Sequence, residues 1–326
     1  MVNYGVIGTG WITGSFIDAT RKVEGLNLTS VYSRAKEKAD EFALKYGAKE
    51  TFTNLCQMAS SDKIDAVYIA SPNSFHYEQS KLFLQNKKHV ICEKPVAVSG
   101  ELVQELMEIA KENNVIFMEA IKGIHLPQHR VLQEAIKRIG RVTSAKFDFC
   151  QLSSKYPALK NGEMPNIFNP QFKTGCVMDI GIYCIYPALH LFGKYNQISA
   201  HALKHTNGID LCGGSILCYD DKVVTLTYSK LGDGRGVSEI IGDNGTITIG
   251  KLSDLEGITL HHTDGTTESI HTVDQSVHSM QFEAQSFYNY ITNFAEYEAQ
   301  YNQLGELCVN VSDTLKAIRK QCNMEF

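Results

Sequence analysis

The sequence lacks the features that mark nucleic-acid-binding, membrane and secreted proteins. Its 326 residues contain no dense block of Lys and Arg, and the formal net charge at pH 7 is -5. This excludes the basic surface expected of a protein that binds nucleic acid or an anionic membrane. No apolar run reads as long enough to cross a bilayer, and the opening residues MVNYGVIGTG lack the basic segment of a signal peptide. We therefore expect a cytoplasmic protein with small polar or neutral partners.

A disulfide framework and a zinc motif are also missing. The nine cysteines are an odd number, include no CxxC pair, and stand in several cases within apolar runs. We therefore expect reduced core residues. His125 and His129 have the i,i+4 spacing of a helical metal site but no third ligand nearby in the sequence. We interpret them as a surface pair at the start of a helix, and we predict no metal.

What the sequence does contain is enough apolar material for two folded domains. Hydrophobic residues make up 43% and charged residues 21% of the chain, as in globular proteins. In the first third, short apolar segments alternate with amphipathic ones, which is the pattern of a doubly wound parallel sheet. We predict strands there at 3–7, 27–32, 64–70, 88–92 and 115–119. We predict helices there near 12–22, 35–46, 74–85 and 100–113.

The rhythm changes after residue 120, where several alternating strands follow one another with turn signals between them. These strands are predicted at 142–150, 214–220, 222–230, 237–243 and 246–250. Helices are predicted near 127–138, 175–192, 279–294 and 301–322. Because hairpin turns join consecutive strands, this sheet should be largely antiparallel. We therefore predict an α/β protein with a dinucleotide-binding Rossmann domain at 1–120 and a second, α+β domain at 121–326 that binds substrate and forms oligomers.

Two glycines follow the first predicted strand in the stretch VIGTGWIT. At the start of a helix, Gly8 and Gly10 permit a tight turn and let a pyrophosphate approach backbone N–H groups. Thr13 stands at the third small position of the usual fingerprint. A purely structural turn is the alternative. We predict that the residues of this turn bind the cofactor, namely Gly8, Thr9, Gly10, Trp11 and Ile12.

The end of the second strand carries no acidic residue, although an NAD site usually places one there for the ribose 2′-hydroxyl. Ser33 and Arg34 stand at this point instead, and Lys38 follows one helical turn later. A hydroxyl and two cations suit a 2′-phosphate, since charge-assisted hydrogen bonds to phosphate are strong. We predict a preference for NADP, with NAD possible. The alternative is that Ser33 caps a helix and the cations are solvated.

Two further strand ends carry polar residues at the carboxyl edge of the predicted sheet, where ligands of this fold bind. The loop ASPNSFH predicts cofactor contacts from Ala70, Ser71, Pro72, Asn73 and His76, although His76 also suits an ordinary first helical turn. The next strand runs into Glu93, Lys94 and Pro95. Because a proline disfavours the helical conformation in the residue before it, Lys94 should be held in an extended backbone and aimed. A surface salt bridge between Glu93 and Lys94 is the alternative.

The segments VIGTGWIT, ASPNSFH, CEKPVAVS, FMEA and GCVMDIGIYCIYPALHLFG occur in the order and spacing of the Gfo/Idh/MocA oxidoreductases. The chain resembles this family over essentially its whole length. Within the family it is similar to the glucose–fructose oxidoreductase and dimeric dihydrodiol dehydrogenase branch, which has a tyrosine where many relatives have histidine. The resemblance implies a Rossmann domain followed by a domain with a large open, predominantly antiparallel sheet. It also implies hydride transfer between a nicotinamide and a secondary alcohol of a sugar, inositol, polyol or diol.

The resemblance further implies roles for particular residues. Lys94 matches the catalytic or substrate-orienting lysine of the EKP motif, and Glu93 and Lys94 join the cofactor contacts. Asp179 matches the substrate-binding aspartate, and Tyr183 the acid/base position. Four residues apart on a helix, Asp179 and Tyr183 would share one face. A phenol of ordinary pKa about 10 becomes a usable base near a cation.

One departure from the branch concerns substrate recognition. The run IKGIHLP places Lys122 and Ile124 where related chains carry an aromatic residue and an arginine, so we predict Lys122 as a substrate contact in their stead. Two other functions stay open from the sequence: a non-catalytic dinucleotide-binding regulator, and an NAD-dependent glycoside hydrolase. Alternating apolar residues on the second sheet also predict a homodimer or homotetramer.

Overall fold

The computed structural model describes residues 1–270, 277–324 and 326 of the chain. The strands in chain order are β1 (Val2–Ile7), β2 (Leu26–Tyr32), β3 (Glu50–Phe52), β4 (Ala66–Ile69), β5 (His89–Glu93), β6 (Phe117–Ala120), β7 (Val142–Cys150), β8 (Gln197–Lys204), β9 (Asp210–Cys218), β10 (Val223–Ser229), β11 (Ser238–Gly242), β12 (Gly245–Lys251), β13 (Glu256–His262) and β14 (Thr267–Ser269). The α-helices are α1 (Trp11–Thr20), α2 (Lys36–Tyr46), α3 (Leu55–Ala59), α4 (His76–Gln85), α5 (Gly100–Glu112), α6 (Lys122–His125), α7 (Pro127–Ile136), α8 (Tyr156–Lys160), α9 (Ile182–Phe192), α10 (Met280–Thr292) and α11 (Phe294–Gln321).

The chain forms two compact units that interleave in sequence. The first unit combines Met1–Ile121 with Ser276–Val309, and the second combines Lys122–Gln275 with Asn310–Phe326. The chain first passes from one unit to the other after Ile121, close to the boundary at residue 120 that the sequence indicates. The structure differs near the C-terminus, where α10 and the first part of α11 group with the first unit. The assignment of 1–120 to the dinucleotide and of 121–326 to substrate and oligomer contacts stays a prediction.

The first unit is built on a six-stranded parallel sheet with the order β3-β2-β1-β4-β5-β6. Because β1 pairs with both β2 and β4, the strand order reverses beside β1, and ligands of such sheets bind at the carboxyl ends around this point. Helices cover both faces, so the strands are buried on both sides and read as apolar runs. Val6 and Tyr68 belong to one core cluster, while Ile7 and Val67 belong to the other.

The second unit contains an eight-stranded sheet with the order β14-β13-β12-β11-β7-β10-β9-β8. Its neighbouring strands run antiparallel, except that β7 and β10 are parallel. The predicted fold class, a Rossmann sheet followed by a predominantly antiparallel sheet, is therefore confirmed.

One segment of the chain is long and apolar enough to cross a membrane by length and composition alone. This differs from the sequence-based expectation that no apolar run is long enough. The stretch Pro170–Phe192, with a mean hydropathy of 1.4, meets the length and composition of a span, but 72% of its apolar window is buried inside the protein. It includes α9, whose apolar residues pack beneath the second sheet, so a core helix explains its composition.

Candidate active site

The turn after β1 requires glycine for two geometric reasons. Gly8 has φ +104°, and a Cβ at this position would lie 2.6 Å from the carbonyl oxygen of Ala70. Gly10 then precedes α1 in an extended conformation, so the helix presents its first N–H groups at the sheet edge. Thr13 is fully buried beneath the turn, and its Oγ1 has no hydrogen-bond partner among the described residues. This cradle fits a pyrophosphate.

A cavity of about 440 Å³ opens at the carboxyl edge of the first sheet. Its volume is within the range of small-molecule and cofactor sites. The walls include many of the predicted cofactor residues: Gly8, Thr9, Ser33, Arg34, Lys38, Ala70, Ser71 and Pro72. Gly10 and Trp11 line a second depression beside it, of about 390 Å³, which also includes Thr9 and Lys38. A dinucleotide with a phosphate at the Arg34 side therefore fits the residues present.

The Ser33 hydroxyl does not cap α2 in the way that the alternative interpretation requires. The N-cap position is Ala35, and no side chain caps the helix. Ser33 Oγ instead accepts a long hydrogen bond, 3.4 Å, from the Ala35 N–H at the turn. Ser33, Arg34 and Lys38 thus line the same cavity, and the Ser33 hydroxyl does not cap the helix.

His76 is the first residue of α4 and lies buried between two loops of the first unit. Its side chain is 1% exposed, and its ring nitrogens lie 3.0 Å from the carbonyl oxygen of Pro95 and 2.7 Å from that of Ser71. Burial lowers the pKa of His76, although both carbonyls oppose this effect. The imidazole therefore links the loop after β4 to the loop after β5. It supports the cavity from behind, and its direct contact with a cofactor stays a prediction.

Glu93 and Lys94 end β5 at the same edge of the sheet as the glycine turn. The hydroxyl of Tyr68 donates a 2.6 Å hydrogen bond to Glu93 Oε1, so the glutamate is held from the neighbouring strand. Burial, and then the Glu93 charge, raise the pKa of Tyr68 well above its usual value. After the cis Lys94–Pro95 bond, the Val96 N–H donates to Glu119 Oε1 at 2.7 Å. The loop that carries Lys94 is thus tied down on both sides, and Glu119 is an anchor that the sequence did not single out.

In the second unit, the residues before α9 are folded as a π-helical turn, Val177–Gly181. The expected uninterrupted α-helix over 175–192 is therefore wrong at its start. Asp210, which is fully buried, accepts hydrogen bonds from the N–H groups of Cys176 at 3.0 Å and Val177 at 2.7 Å. Gly175 has φ +116°, and a Cβ there would overlap Asp210 Oδ1. Single π turns occur often at functional sites, and this one places Asp179.

Asp179 lies in the π turn and Tyr183 in α9, so they are not on one uninterrupted α-helix, and Asp179 has a partner that sequence reasoning missed. Its Oδ2 forms an ion pair with the ammonium of Lys230, which directly follows β10. Tyr183, in the first turn of α9, meets Phe149 edge to face at a centroid distance of 5.5 Å. Lys230 directly follows an apolar strand, just as Lys94 directly follows β5, but its position in the sequence does not identify Asp179 as its partner.

Lys122 is already paired. Its ammonium forms an ion pair with Asp254, which also receives 2.8 Å and 2.9 Å contacts from Lys251 and Ser253. Burial of Asp254 acts to raise its pKa, but these donors outweigh burial and lower the pKa to about 2. The role of Lys122 as a substrate contact stays a prediction, since this ion pair fully accounts for its charge.

The histidine pair is not on the surface. His129 is 4% exposed, and its ring stacks on His190 at a centroid distance of 4.2 Å. Burial, and then the neighbouring histidines, lower the pKa of His125 to about 4 and that of His129 to about 3. Within the described residues, no group of three or more His, Cys, Asp or Glu side chains is arranged to hold a metal ion. The two histidines lie on separate helices, His125 at the end of α6 and His129 in α7, so their i,i+4 spacing does not form one helix face.

Comparison with known proteins gives matches over both units. A family model described as the oxidoreductase family, NAD-binding Rossmann fold, matches residues 2–121, and the GFO/IDH/MocA C-terminal domain matches residues 129–248. The chain is 38% identical over 326 residues to scyllo-inositol 2-dehydrogenase (NADP(+)) IolU of Bacillus subtilis (strain 168), covering 100% of this chain and 98% of the relative. It is 25% identical over 225 residues to trans-1,2-dihydrobenzene-1,2-diol dehydrogenase of Xenopus tropicalis, covering 67% and 66% of the two chains.

A solved structure has the same fold. KijD10, a 3-ketoreductase from Actinomadura kijaniata in complex with NADP and TDP-benzene, superposes with a TM-score of 0.83 at 20% identity and covers 98% of both chains. The predicted nicotinamide cofactor and the predicted enzyme class are confirmed by these matches together. Because one family accounts for both units and for the motifs at their strand ends, the chain belongs to the Gfo/Idh/MocA family of nicotinamide-dependent oxidoreductases.

Proposed function

We propose that the protein transfers a hydride between NADP and a secondary alcohol or carbonyl group of a neutral polyol, with an inositol as the first candidate. The observation that carries this proposal is the end-to-end match to an NADP-dependent inositol dehydrogenase. The retention of Lys94, Asp179 and Tyr183 in this chain supports it, because a chain that only bound the dinucleotide would have no need of all three.

The preference for NADP rests on the cavity at the end of β2. Ser33, Arg34 and Lys38 line it, and no acidic side chain is among its walls. A carboxylate at this position would repel a 2′-phosphate, whereas a guanidinium can bind one through two parallel hydrogen bonds. NADP is therefore the favoured cofactor, and NAD remains usable because the pyrophosphate cradle around Gly8 does not depend on the 2′ group.

The residues divide the chemistry between them. When bound, the nicotinamide cofactor would supply the hydride acceptor for the alcohol and the hydride donor for the carbonyl. Tyr183 takes the hydroxyl proton of the alcohol and gives it back to the carbonyl oxygen in the reverse direction. Lys94 orients the substrate oxygen, as the resemblance of its EKP motif to the family implies. Asp179 accepts a hydrogen bond from a second substrate hydroxyl.

The protein is further proposed to act in the cytoplasm as a homodimer or homotetramer. Ile216 of β9 and Val223 of β10, each 44% exposed, and Ile241 of β11, 38% exposed, lie on the second sheet. Val223 and Ile241 flank Ser144 on β7 from either side, so they share one face. A second copy would remove this apolar surface from water. Light scattering that returned a 36.3 kDa monomer at micromolar concentration would contradict the assembly.

The function is tested by following NADPH formation with a panel of inositols, diols, sugars and glycosides. We expect turnover with NADP and at least one inositol, and a fall in kcat of roughly 10²–10⁴ fold in Tyr183→Phe, the usual contribution of general acid–base catalysis. The variant should bind NADPH as the wild type does. Absence of turnover with every inositol and diol would overturn the proposal. Near-normal turnover in Tyr183→Phe would show that Tyr183 is not the residue that transfers the proton.

A further inference from the structure

Lys230 is a buried cation that the reaction as described above does not use. It follows the last residue of β10, and its side chain is only 6% exposed. Its backbone is fixed on both sides, because its N–H donates to the Leu211 carbonyl at 2.9 Å and its own carbonyl accepts from Ser153 N–H at 3.0 Å. Burying an ammonium is costly unless a carboxylate compensates it. A rigidly mounted lysine at this place therefore calls for an explanation beyond packing.

The group that compensates Lys230 is Asp179. The ammonium pairs with Asp179 Oδ2, whereas the aspartate side chain itself is 28% exposed. Lys230 thus approaches the carboxylate from the protein interior, and part of the carboxylate stays within reach of solvent or a ligand. Lys230 itself is too buried to touch a polyol. Its influence on substrate must pass through Asp179.

The surroundings of the pair explain how the carboxylate is held in one orientation. Asp210 fixes the start of the π turn by accepting the N–H groups of Cys176 and Val177. The charge of Lys230 acts on Asp210 and on the thiol of Cys176, and the buried guanidinium of Arg319 interacts with Asp210 as well. Burial raises the pKa of Cys176 above its usual range, which leaves the thiol neutral. Lys230 therefore pairs directly with Asp179, and its charge also acts on Asp210.

We propose that Lys230 is a positioning residue: it keeps Asp179 ionised and turned so that the aspartate accepts a hydroxyl of a neutral polyhydroxy substrate. This inference rests on the proposed function, in which Asp179 binds a substrate hydroxyl. A hydrogen bond from a hydroxyl to an ionised, oriented carboxylate is stronger than one to a neutral acid. Without the lysine, the partly buried carboxylate would be protonated more readily. The protonated group would then recognise the hydroxyl poorly.

The test compares Lys230→Met with the matched control Lys222→Met. Lys222 precedes the same strand at its other end and pairs with Asp221 through a side chain that is 15% exposed. For Lys230→Met we expect kcat/KM for the polyol to fall roughly 10- to 150-fold, the loss of a charged hydrogen bond, mainly through KM. NADPH affinity should be unchanged, and the acidic limb of the kcat/KM profile should move to higher pH. Lys222→Met should keep the wild-type values.

A second variant, Lys230→Gln, keeps the proposal testable if Lys230→Met does not fold. Lys230→Gln keeps a hydrogen-bond donor without the charge, so it should show a smaller KM defect but the same displaced acidic limb. An unchanged acidic limb in variants that fold and bind NADPH would overturn the proposal. Loss of folding in both variants would also overturn it, because Lys230 would then be a structural partner of the aspartates. A wild-type protein inactive on the whole panel contradicts the proposed function instead, so the two failures are distinguishable.

Discussion

Acid should destabilise this protein through its buried histidines, and His129 allows the effect to be isolated. Its pKa of about 3 lies below the ordinary value of 6.5 because burial disfavours the imidazolium. Between these two values only the unfolded chain gains a proton at this position. The stabilisation by the neutral ring is therefore fully present above pH 6.5 and is lost as the pH falls toward 3.

The size of the effect follows from the same two values. At pH 5 the unfolded histidine is almost fully protonated and the folded one is not, so His129 costs about 2 kcal/mol of folding free energy relative to pH 7. His125, with a pKa of about 4, acts in the same direction. Against a typical stability of about 5–15 kcal/mol, a loss of this size is easily measured.

The assay is urea unfolding of wild type and His129→Phe at pH 7 and pH 5. Circular dichroism is the suitable signal, since the single tryptophan, Trp11, is 82% exposed and reports poorly on the core. Phenylalanine keeps a ring against His190 but cannot be protonated, so the variant should lose about 2 kcal/mol less between the two pH values. His201→Phe, which changes an exposed histidine of β8, is the control and should behave as wild type. Equal losses in wild type and His129→Phe would refute the reasoning.

Three further predictions concern the cofactor turn and the π turn. Arg34→Ala should weaken NADP(H) binding by about 1.5–3 kcal/mol in a fluorescence titration and leave NAD(H) nearly unchanged; equal losses would show that Arg34 does not read the 2′-phosphate. Gly8→Ala should abolish binding of both dinucleotides while the circular dichroism spectrum is kept, because its Cβ would lie 2.6 Å from a backbone carbonyl. Gly175→Ala should lower the free energy of unfolding by about 1–3 kcal/mol, since it combines a positive φ with a steric overlap. Gly162→Ala, with φ +84° but no neighbour within 4 Å, is its control and should cost less.

The first sheet was predictable because its strands are buried on both faces and therefore stand out as apolar runs. The strand β3 was missed, since its three residues Glu50–Phe52 are at the sheet edge and only partly buried. In the second unit, β8 was missed for a related reason: QISAHALK is mostly exposed and shows no clean alternation. Edge strands are defined by their neighbours more than by their own residues.

The candidate site was predictable where a motif sits at a strand end, as with Gly8 and Lys94. It was not predictable where the structure depends on contacts distant in sequence. Lys230 and Asp179 are 51 residues apart, and nothing in either segment indicates the other. The π turn likewise depends on Asp210, which lies at the start of β9, more than 30 residues later in the chain. Local pattern reading favours an ordinary α-helix there because it contains no information about that carboxylate.

The interleaving of the two units has a consequence for synthesis on the ribosome. The core on one face of the first sheet, around Phe16, is completed by residues of α10 such as Met280 and Phe287. Roughly 160 residues separate Ile121 from Met280, and at about 5–20 residues per second their translation takes on the order of 8–30 s. Throughout that interval the nascent first unit has all its strands but lacks the helix α10, which completes this core together with α1. All eight strands of the second unit are therefore synthesised before the helix that completes the core of the first unit.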